Sequence, residues 1–104
     1  MPWFYLFVAG LFEIVWAFAM KQSHGFTRPM PTALMIVTMI ASFWFLTLAM
    51  RTLPLGTAYT VWTGIGAVGA FVAGVVFLGE ALSPARLVAA TLIVTGLVVM
   101  RLAE

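Results

Sequence analysis

Glu13 is the one acidic or basic side chain in an apolar run from residue 3 to residue 20. At about 1.5 Å of rise per residue, a helix of that length covers most of a roughly 30 Å hydrocarbon core and places Glu13 near the midplane. A carboxyl group there costs about 2.5 kcal/mol or more to insert, so it persists where it faces water, a partner or an exchangeable cation. The position predicts a binding site for protons or cations. The alternative is a structural carboxyl group, protonated or hydrogen-bonded between helices.

Residues on the same helical face as that carboxyl group, and one serine in the next apolar run, are the next positions to consider. Gly10 and Trp16 share the helical face of Glu13, where they offer a close approach for another helix and an aromatic wall. Ser42 lies in the second apolar run. Because serine hydroxyls in membrane helices usually bond to neighbouring helices, a packing role is the alternative for Ser42.

The first half of the third apolar run is unusual in its aromatic and polar residues. Tyr59, Trp62 and Thr63 are close together there, and an interfacial aromatic belt is the alternative for Tyr59. The run is also rich in glycine, which favours close helix packing or a bend. The glycines expected to serve packing or bending are Gly64, Gly66 and Gly69.

The composition fixes the class of protein. Of the 104 residues, 64% are hydrophobic and 8% are charged, and the mean hydropathy is +1.17, so the chain has too little polar surface for a soluble globule. Cysteine is absent, which excludes disulfides and thiolate chemistry. The basic residues are scattered singly, which is typical of interfacial anchors and not of a nucleic-acid surface. We therefore expect an integral membrane protein in contact with the lipid bilayer, with no nucleic-acid partner, metal or cofactor and no enzymatic activity.

Four apolar runs are each long enough to cross a membrane, so we expect an all-α membrane protein with a single four-helix domain. The fourth run has no ionisable residue in its middle and is interpreted as a packing or oligomerisation surface. The predicted spans cover about residues 3–20, 32–50, 57–78 and 85–100.

Three polar connections separate the spans. Residues 21–31 are the longest, and their glycine and two prolines are expected to break any continuous helix. Residues 51–56 are short, which makes spans two and three antiparallel neighbours. In the third connection, Ser83 is a predicted helix N-cap before Pro84, and Glu80 is interpreted as a plain surface charge.

The basic residues give almost no orientation signal. Three of them, Lys21, Arg28 and Arg86, follow spans one and three, while Arg51 and Arg101 lie on the opposite side. Because the positive-inside rule needs a clear excess, we expect insertion in both orientations. The natural unit is then an antiparallel homodimer whose twofold axis lies in the membrane plane.

A dimer is also expected because four helices of this size cannot by themselves enclose a polar pathway. In such a dimer two copies of Glu13 face each other across one cavity. A bound cation displaces protons from this pair of carboxyl groups, which is the minimum chemistry of a proton/cation exchanger.

The whole chain resembles the small multidrug resistance transporters, through the Glu13 span, the segment GFTR at residues 25–28 and the segment GTAYTVWTGIG at residues 56–66. This resemblance implies four-helix subunits that form dual-topology antiparallel homodimers in the bacterial inner membrane. It also implies a set of side chains that line the cavity and orient the glutamates, namely Trp16, Ser42, Tyr59 and Trp62.

Within that family, residues 12–17 (FEIVWA) and 62–66 (WTGIG) resemble the guanidinium-exporter subtype, whereas the multidrug subtype tends to have serine where Thr63 stands. The subtype implies a proton-coupled antiporter that exports guanidinium and small guanidinyl compounds by alternating access. Glu13 then binds substrate and protons alternately.

Guanidinium suits such a site, because its N–H donors lie in one plane that matches paired carboxylates and its faces stay free for aromatic rings. We expect the hydroxyl of Ser42 or Tyr59 and the indole N–H of Trp62 to hold the Glu13 carboxylate in orientation. Two rivals stay open: a multidrug exporter of quaternary ammonium and aromatic cations, and a small channel or packing subunit in which Glu13 is a selectivity or docking charge.

Overall fold

The computed structural model describes residues 2–103, and they form four helices and no strand. All four helices are long and apolar enough to cross a membrane, which confirms the predicted all-α, four-span architecture. Each predicted span lies within one helix, apart from Met50, which caps the end of the second. The helices are α1 (Pro2–Gln22), α2 (Pro29–Ala49), α3 (Leu55–Leu78) and α4 (Pro84–Ala103).

The first connection is shorter than predicted. It covers residues 23–28, because α1 continues to Gln22 and α2 already begins at Pro29. The predicted break between spans one and two is present, but the placement of Pro29 and Pro31 in the loop is wrong, since both lie in the first turn of α2. The N–H groups of a first turn have no partner within the helix, so proline loses nothing there and its fixed φ favours a start.

Specific caps end α3 and begin α4. Gly79 ends α3 in the left-handed conformation at φ 68°, and the next amide, of Glu80, donates to the carbonyl of Gly74 over 3.1 Å. Ser83 caps α4 as predicted, because its hydroxyl accepts the amide of Arg86 at 3.2 Å. The connection between α3 and α4 is therefore a defined turn.

The four helices form a slab, with α1 packed extensively against both α2 and α3. The principal extents are 41 × 34 × 16 Å, and the smallest is about one and a half helix diameters. Helices α2 and α3 touch at few positions, so the predicted closeness of spans two and three is limited; one contact is that of the Trp62 ring with Phe43, whose ring centroids are 5.8 Å apart. The buried apolar core lies where α1, α2 and α3 converge, and consists of Leu6, Ala9, Leu46, Ala49, Leu53, Ala58, Val61 and Trp62.

Helix α4 lies on the outside of this arrangement. None of its residues is buried, and among the described helices its backbone lies close only to α3, while Arg101 reaches the Trp3 ring of α1. Its main contact is Leu97, which fills the space above Gly64. An apolar helix with so little of its surface covered is suited to lipid or to another subunit.

Candidate cation and proton site around Glu13

The Glu13 carboxylate lies directly against the backbone of α3 at Gly66. A Cβ atom on Gly66 would overlap the Cγ, Cδ and Oε1 atoms of Glu13, so only glycine leaves room for the carboxylate there. Glu13 is half-buried within this single chain. The glycine predicted from the sequence as a packing position therefore also holds the candidate carboxyl group.

Two more contacts of the same kind flank it along the α1–α3 interface. Ile65 of α3 covers Gly10, and Ile14 of α1 covers Gly69, in each case so closely that an added Cβ would overlap the isoleucine. Gly10 and Gly69 are thus packing positions within this subunit, and Gly10 does not line an open cavity here. These contacts fix the rotation of α1 against α3, and with it the direction of the Glu13 side chain.

Glu13 and Trp16 each keep one buried polar atom without a partner. The Oε1 atom of Glu13 and the indole Nε1 of Trp16 are both buried, and neither is hydrogen-bonded within the described chain. The two residues are three positions apart on α1, so they share one face of the helix. An acceptor and a donor left open in this way are costly in a membrane interior unless something else binds them.

Ser42 and Trp62 form a buried chain of hydrogen bonds. The indole Nε1 of Trp62 donates to the Ser42 hydroxyl over 2.9 Å, and that hydroxyl donates to the carbonyl of Ala9 over 2.7 Å. The structure differs here from the sequence expectation, because these donors bind each other and the α1 backbone instead of the Glu13 carboxylate. Their effect on Glu13 is indirect: they hold α1 against α2 and α3 one turn before it.

Thr63 and Tyr59 precede Gly66 on α3 by about one and two helical turns. Tyr59 is 54% exposed, and its ring centroid is 5.5 Å from that of the buried Trp62. Both Tyr59 and Thr63 line an apolar groove between α3 and α4 of about 500 Å³, whose lining does not include Glu13. A single subunit therefore joins Tyr59 to the Trp62 pair but does not bring Thr63 to the carboxylate.

A second carboxyl group, which sequence reasoning set aside, packs on α3 in the same manner. Glu80 lies over Gly74, where an added Cβ would overlap its carboxylate, and Arg86 approaches it to 4.0 Å. Glu80 is therefore more than a plain surface charge. The signal available in the sequence was the turn itself, since a left-handed Gly79 directs the following residue back over the helix end.

Within residues 2–103, no group of three or more histidine, aspartate or glutamate side chains could hold a metal ion. The polar groups that could meet a small cation are those around the two carboxylates.

The family model described as Small Multidrug Resistance protein matches residues 1–93. The chain belongs to the small multidrug resistance family. It is 55% identical over 102 residues to a protein of Citrobacter freundii named guanidinium exporter, a match covering 98% of this chain and 97% of that protein. Proteins with the same name from Salmonella typhimurium strain LT2 and Escherichia coli K12 are 51% and 50% identical, with the same coverage.

Membership in the small multidrug resistance family confirms the resemblance inferred from the sequence. The relatives are named as exporters, which confirms the expectation of a transporter and not an enzyme. Together with the four apolar helices, the family membership makes this chain a multi-pass membrane protein. The roles of the individual site residues stay predictions, to which the contacts above give a geometry.

Proposed function

We propose that this small multidrug resistance protein is a proton-coupled antiporter that exports guanidinium and small guanidinyl compounds across the bacterial inner membrane. The observation that carries the proposal is the Glu13 carboxylate, which lies in the middle of a membrane-spanning helix with a buried oxygen that no group of the described chain satisfies. An intramembrane carboxyl group of this kind is a binding site by default.

The substrate class follows from the relatives and from the groups beside Glu13. Proteins that are 50–55% identical over nearly the whole chain are named guanidinium exporters. The planar cation offers N–H donors to a carboxylate, and its face suits an aromatic ring such as that of Trp16. The partnerless Nε1 of Trp16 is a donor, so it is free to bind a carboxylate oxygen while the ring lines the cavity.

Proton coupling follows because protons and guanidinium compete for the Glu13 carboxylate. A carboxylate that binds guanidinium must be ionised, and the same group when protonated has no charge to offer the cation. Export then proceeds by alternating access: Glu13 releases substrate on one side on binding protons, and releases protons on the other side on binding substrate.

An antiparallel homodimer is the proposed working unit. A slab 16 Å thick leaves the Glu13 face of one subunit without the second wall that a closed pathway needs. Helix α4 has no buried residue in the single chain, so its apolar surface is available to a second copy and to lipid. In this dimer Tyr59, Trp62 and Thr63 border the shared cavity, and the Ser42 and Trp62 pair keeps α1 in place.

The substrate assignment is tested by transport currents from proteoliposomes of the purified protein. Guanidinium and guanylurea should both give currents, because substitution on one nitrogen leaves the opposite edge free for carboxylates. A bulky polyaromatic cation should give none. Strong currents for the bulky cation with none for guanidinium would assign the protein to the multidrug subtype instead.

The same vesicles separate an antiporter from a channel. With the membrane potential clamped at zero, a proton gradient alone should drive guanidinium uphill, which a channel cannot do. Equilibration of guanidinium without accumulation would contradict coupling and favour the channel.

The dimer is tested through the balance of basic residues. Lysines added to the 23–28 connection should fix one orientation and impair export, and co-expression with an oppositely biased version should restore it. Full activity from one fixed orientation alone would argue for a parallel assembly.

A further inference from the structure

The side chain of Arg86 is bound by three different groups near the turn between α3 and α4. Its Nη1 donates to the carbonyl of Ala81 over 2.7 Å, and its Nη2 is 4.0 Å from the Glu80 carboxylate. Its guanidinium carbon lies 5.1 Å from the centre of the Phe71 ring. A carbonyl, a carboxylate and an aromatic face are together what a planar guanidinium group requires of a receptor.

This receptor opens onto a pocket on one side of Glu13. The pocket has a volume of about 360 Å³ and is bordered by Ala17 of α1 and Ala70 of α3. Each of these alanines is four residues, or about one helical turn, beyond the contact between Glu13 and Gly66. The other residues of the pocket are Phe18, Lys21, Ala67, Phe71, Glu80 and Arg86.

We infer that Glu80, Phe71 and the Ala81 carbonyl form a second guanidinium site, which the chain's own Arg86 fills in the absence of free guanidinium. Free guanidinium displaces the Arg86 side chain and occupies the same three contacts. The site then holds substrate about two helical turns from the Glu13 contact, since Glu80 packs on Gly74 and Glu13 on Gly66. This role in delivery rests on the proposed function, whereas binding at Glu80 does not.

The observed geometry favours exchange over a permanent ion pair. The Glu80 and Arg86 side chains are 40% and 44% exposed, and their separation of 4.0 Å is loose. Exposed pairs of this kind contribute little stability, so a competing guanidinium ion faces a small barrier. Lys21 at the edge of the same pocket adds positive charge, which weakens cation binding and keeps the site reversible.

Binding is measured by NMR of 15N-labelled guanidinium with the purified full-length protein in detergent. All proteins carry Glu13→Gln, which removes the proposed main site. Adding Arg86→Ala vacates the receptor, and guanidinium affinity should rise about tenfold, which corresponds to about 1.4 kcal/mol. Further addition of Glu80→Gln should abolish that gain. Equal affinity with and without Arg86, or a gain that survives Glu80→Gln, would overturn the inference.

Arg101 supplies a matched control, since its guanidinium lies 4.8 Å from the Trp3 ring centre but makes no ion pair within the described chain. Arg101→Ala in the same background should leave guanidinium affinity unchanged. A gain equal to that of Arg86→Ala would mean that vacating any aromatic ring suffices, which contradicts a specific receptor. Tetramethylammonium, a cation without N–H donors, should bind no better after Arg86→Ala.

A transport measurement covers the case in which Arg86→Ala fails to fold, as judged by size-exclusion chromatography. Glu80→Gln alone should raise the KM for guanidinium severalfold and leave the maximal rate unchanged, whereas Glu13→Gln should abolish transport. Unchanged KM in Glu80→Gln would overturn the second site while leaving the proposed function intact. Undiminished transport by Glu13→Gln would overturn the proposed function and leave the binding result at Glu80 standing.

Discussion

Two glutamates of this protein lie against glycines of the same helix, and their surroundings differ in one decisive respect. Glu13 packs on Gly66 with a buried oxygen that has no partner in the described chain. Glu80 packs on Gly74 but is partly exposed and faces Arg86. The same contact between a carboxylate and a glycine therefore leaves Glu13 available to a ligand, whereas at Glu80 the carboxylate already faces a cationic side chain.

The difference shows what makes a carboxylate available to a ligand. Burial alone raises the cost of a charge, and a built-in cation removes the need for an external one. Glu13 has burial without a built-in cation, so a proton or a substrate has to supply the compensation. Variants that remove the charge, the space or the supporting contacts of each carboxylate should distinguish the roles of Glu13 and Glu80.

The largest difference is expected when each carboxylate is replaced by an amide. Glu13→Gln should lower proton-driven guanidinium exchange by about 100-fold or more, since the amide keeps the shape but cannot exchange a proton. Glu80→Gln should retain the maximal rate. The check is the guanidinium-evoked current in proteoliposomes containing equal amounts of folded dimer. Normal exchange by Glu13→Gln would remove the basis of the assignment.

Acidification should weaken guanidinium binding, because protons and the substrate compete for the Glu13 carboxylate. Guanidinium affinity should fall by about tenfold per pH unit for each proton displaced below the range in which Glu13 titrates, and should level off above that range, because protons compete for the same carboxyl groups. Equilibrium binding at a series of pH values measures this dependence. Glu80→Gln should show the same dependence, and an affinity independent of pH in the native chain would contradict competition at Glu13.

Adding a methyl group beneath each carboxylate compares the two glycine contacts. Gly66→Ala forces the buried Glu13 stem to move and should cost about 1–3 kcal/mol of stability, together with most of the transport activity. At Gly74, the added Cβ meets only the carboxylate tip of a partly exposed side chain, which can turn away. Gly74→Ala should therefore have the smaller effect on both melting temperature and current. Equal effects at the two positions would mean that the contact at Glu13 is no tighter than that at Glu80.

The smallest effect is expected from the hydrogen bonds that support α1. Ser42→Ala removes the acceptor of Trp62 and the donor to Ala9, and should cost about 0.5–2 kcal/mol in the membrane-like environment of a detergent micelle. Thr47→Ala is the matched control, because the Thr47 hydroxyl bonds only to the carbonyl of Phe43 in its own helix and is exposed. Thermal unfolding of both variants measures the difference. A Ser42→Ala protein as stable as Thr47→Ala would show that the buried pair contributes no net stability.

Much of the architecture was accessible from residue types alone. The four spans follow from hydropathy, and Glu13 is conspicuous because a charge in an apolar run is costly. The Ser83 cap and the packing role of Gly64, Gly66 and Gly69 follow from rules that depend on one residue and its near neighbours. The start of α2 did not follow from the sequence. A proline is compatible both with the end of one helix and with the first turn of the next, and residue type alone does not distinguish the two.

What the sequence determined by itself is which segments enter the membrane and which residue carries the charge there, because transfer into lipid depends on local composition. The tertiary structure decided which groups meet. Helix rotation and order placed Gly66 beneath Glu13 and Ser42 between Trp62 and Ala9, and left the indole N–H of Trp16 without a partner among residues 2–103. Such contacts join residues many positions apart, and they depend on the angles between helices, which no local pattern of hydropathy contains.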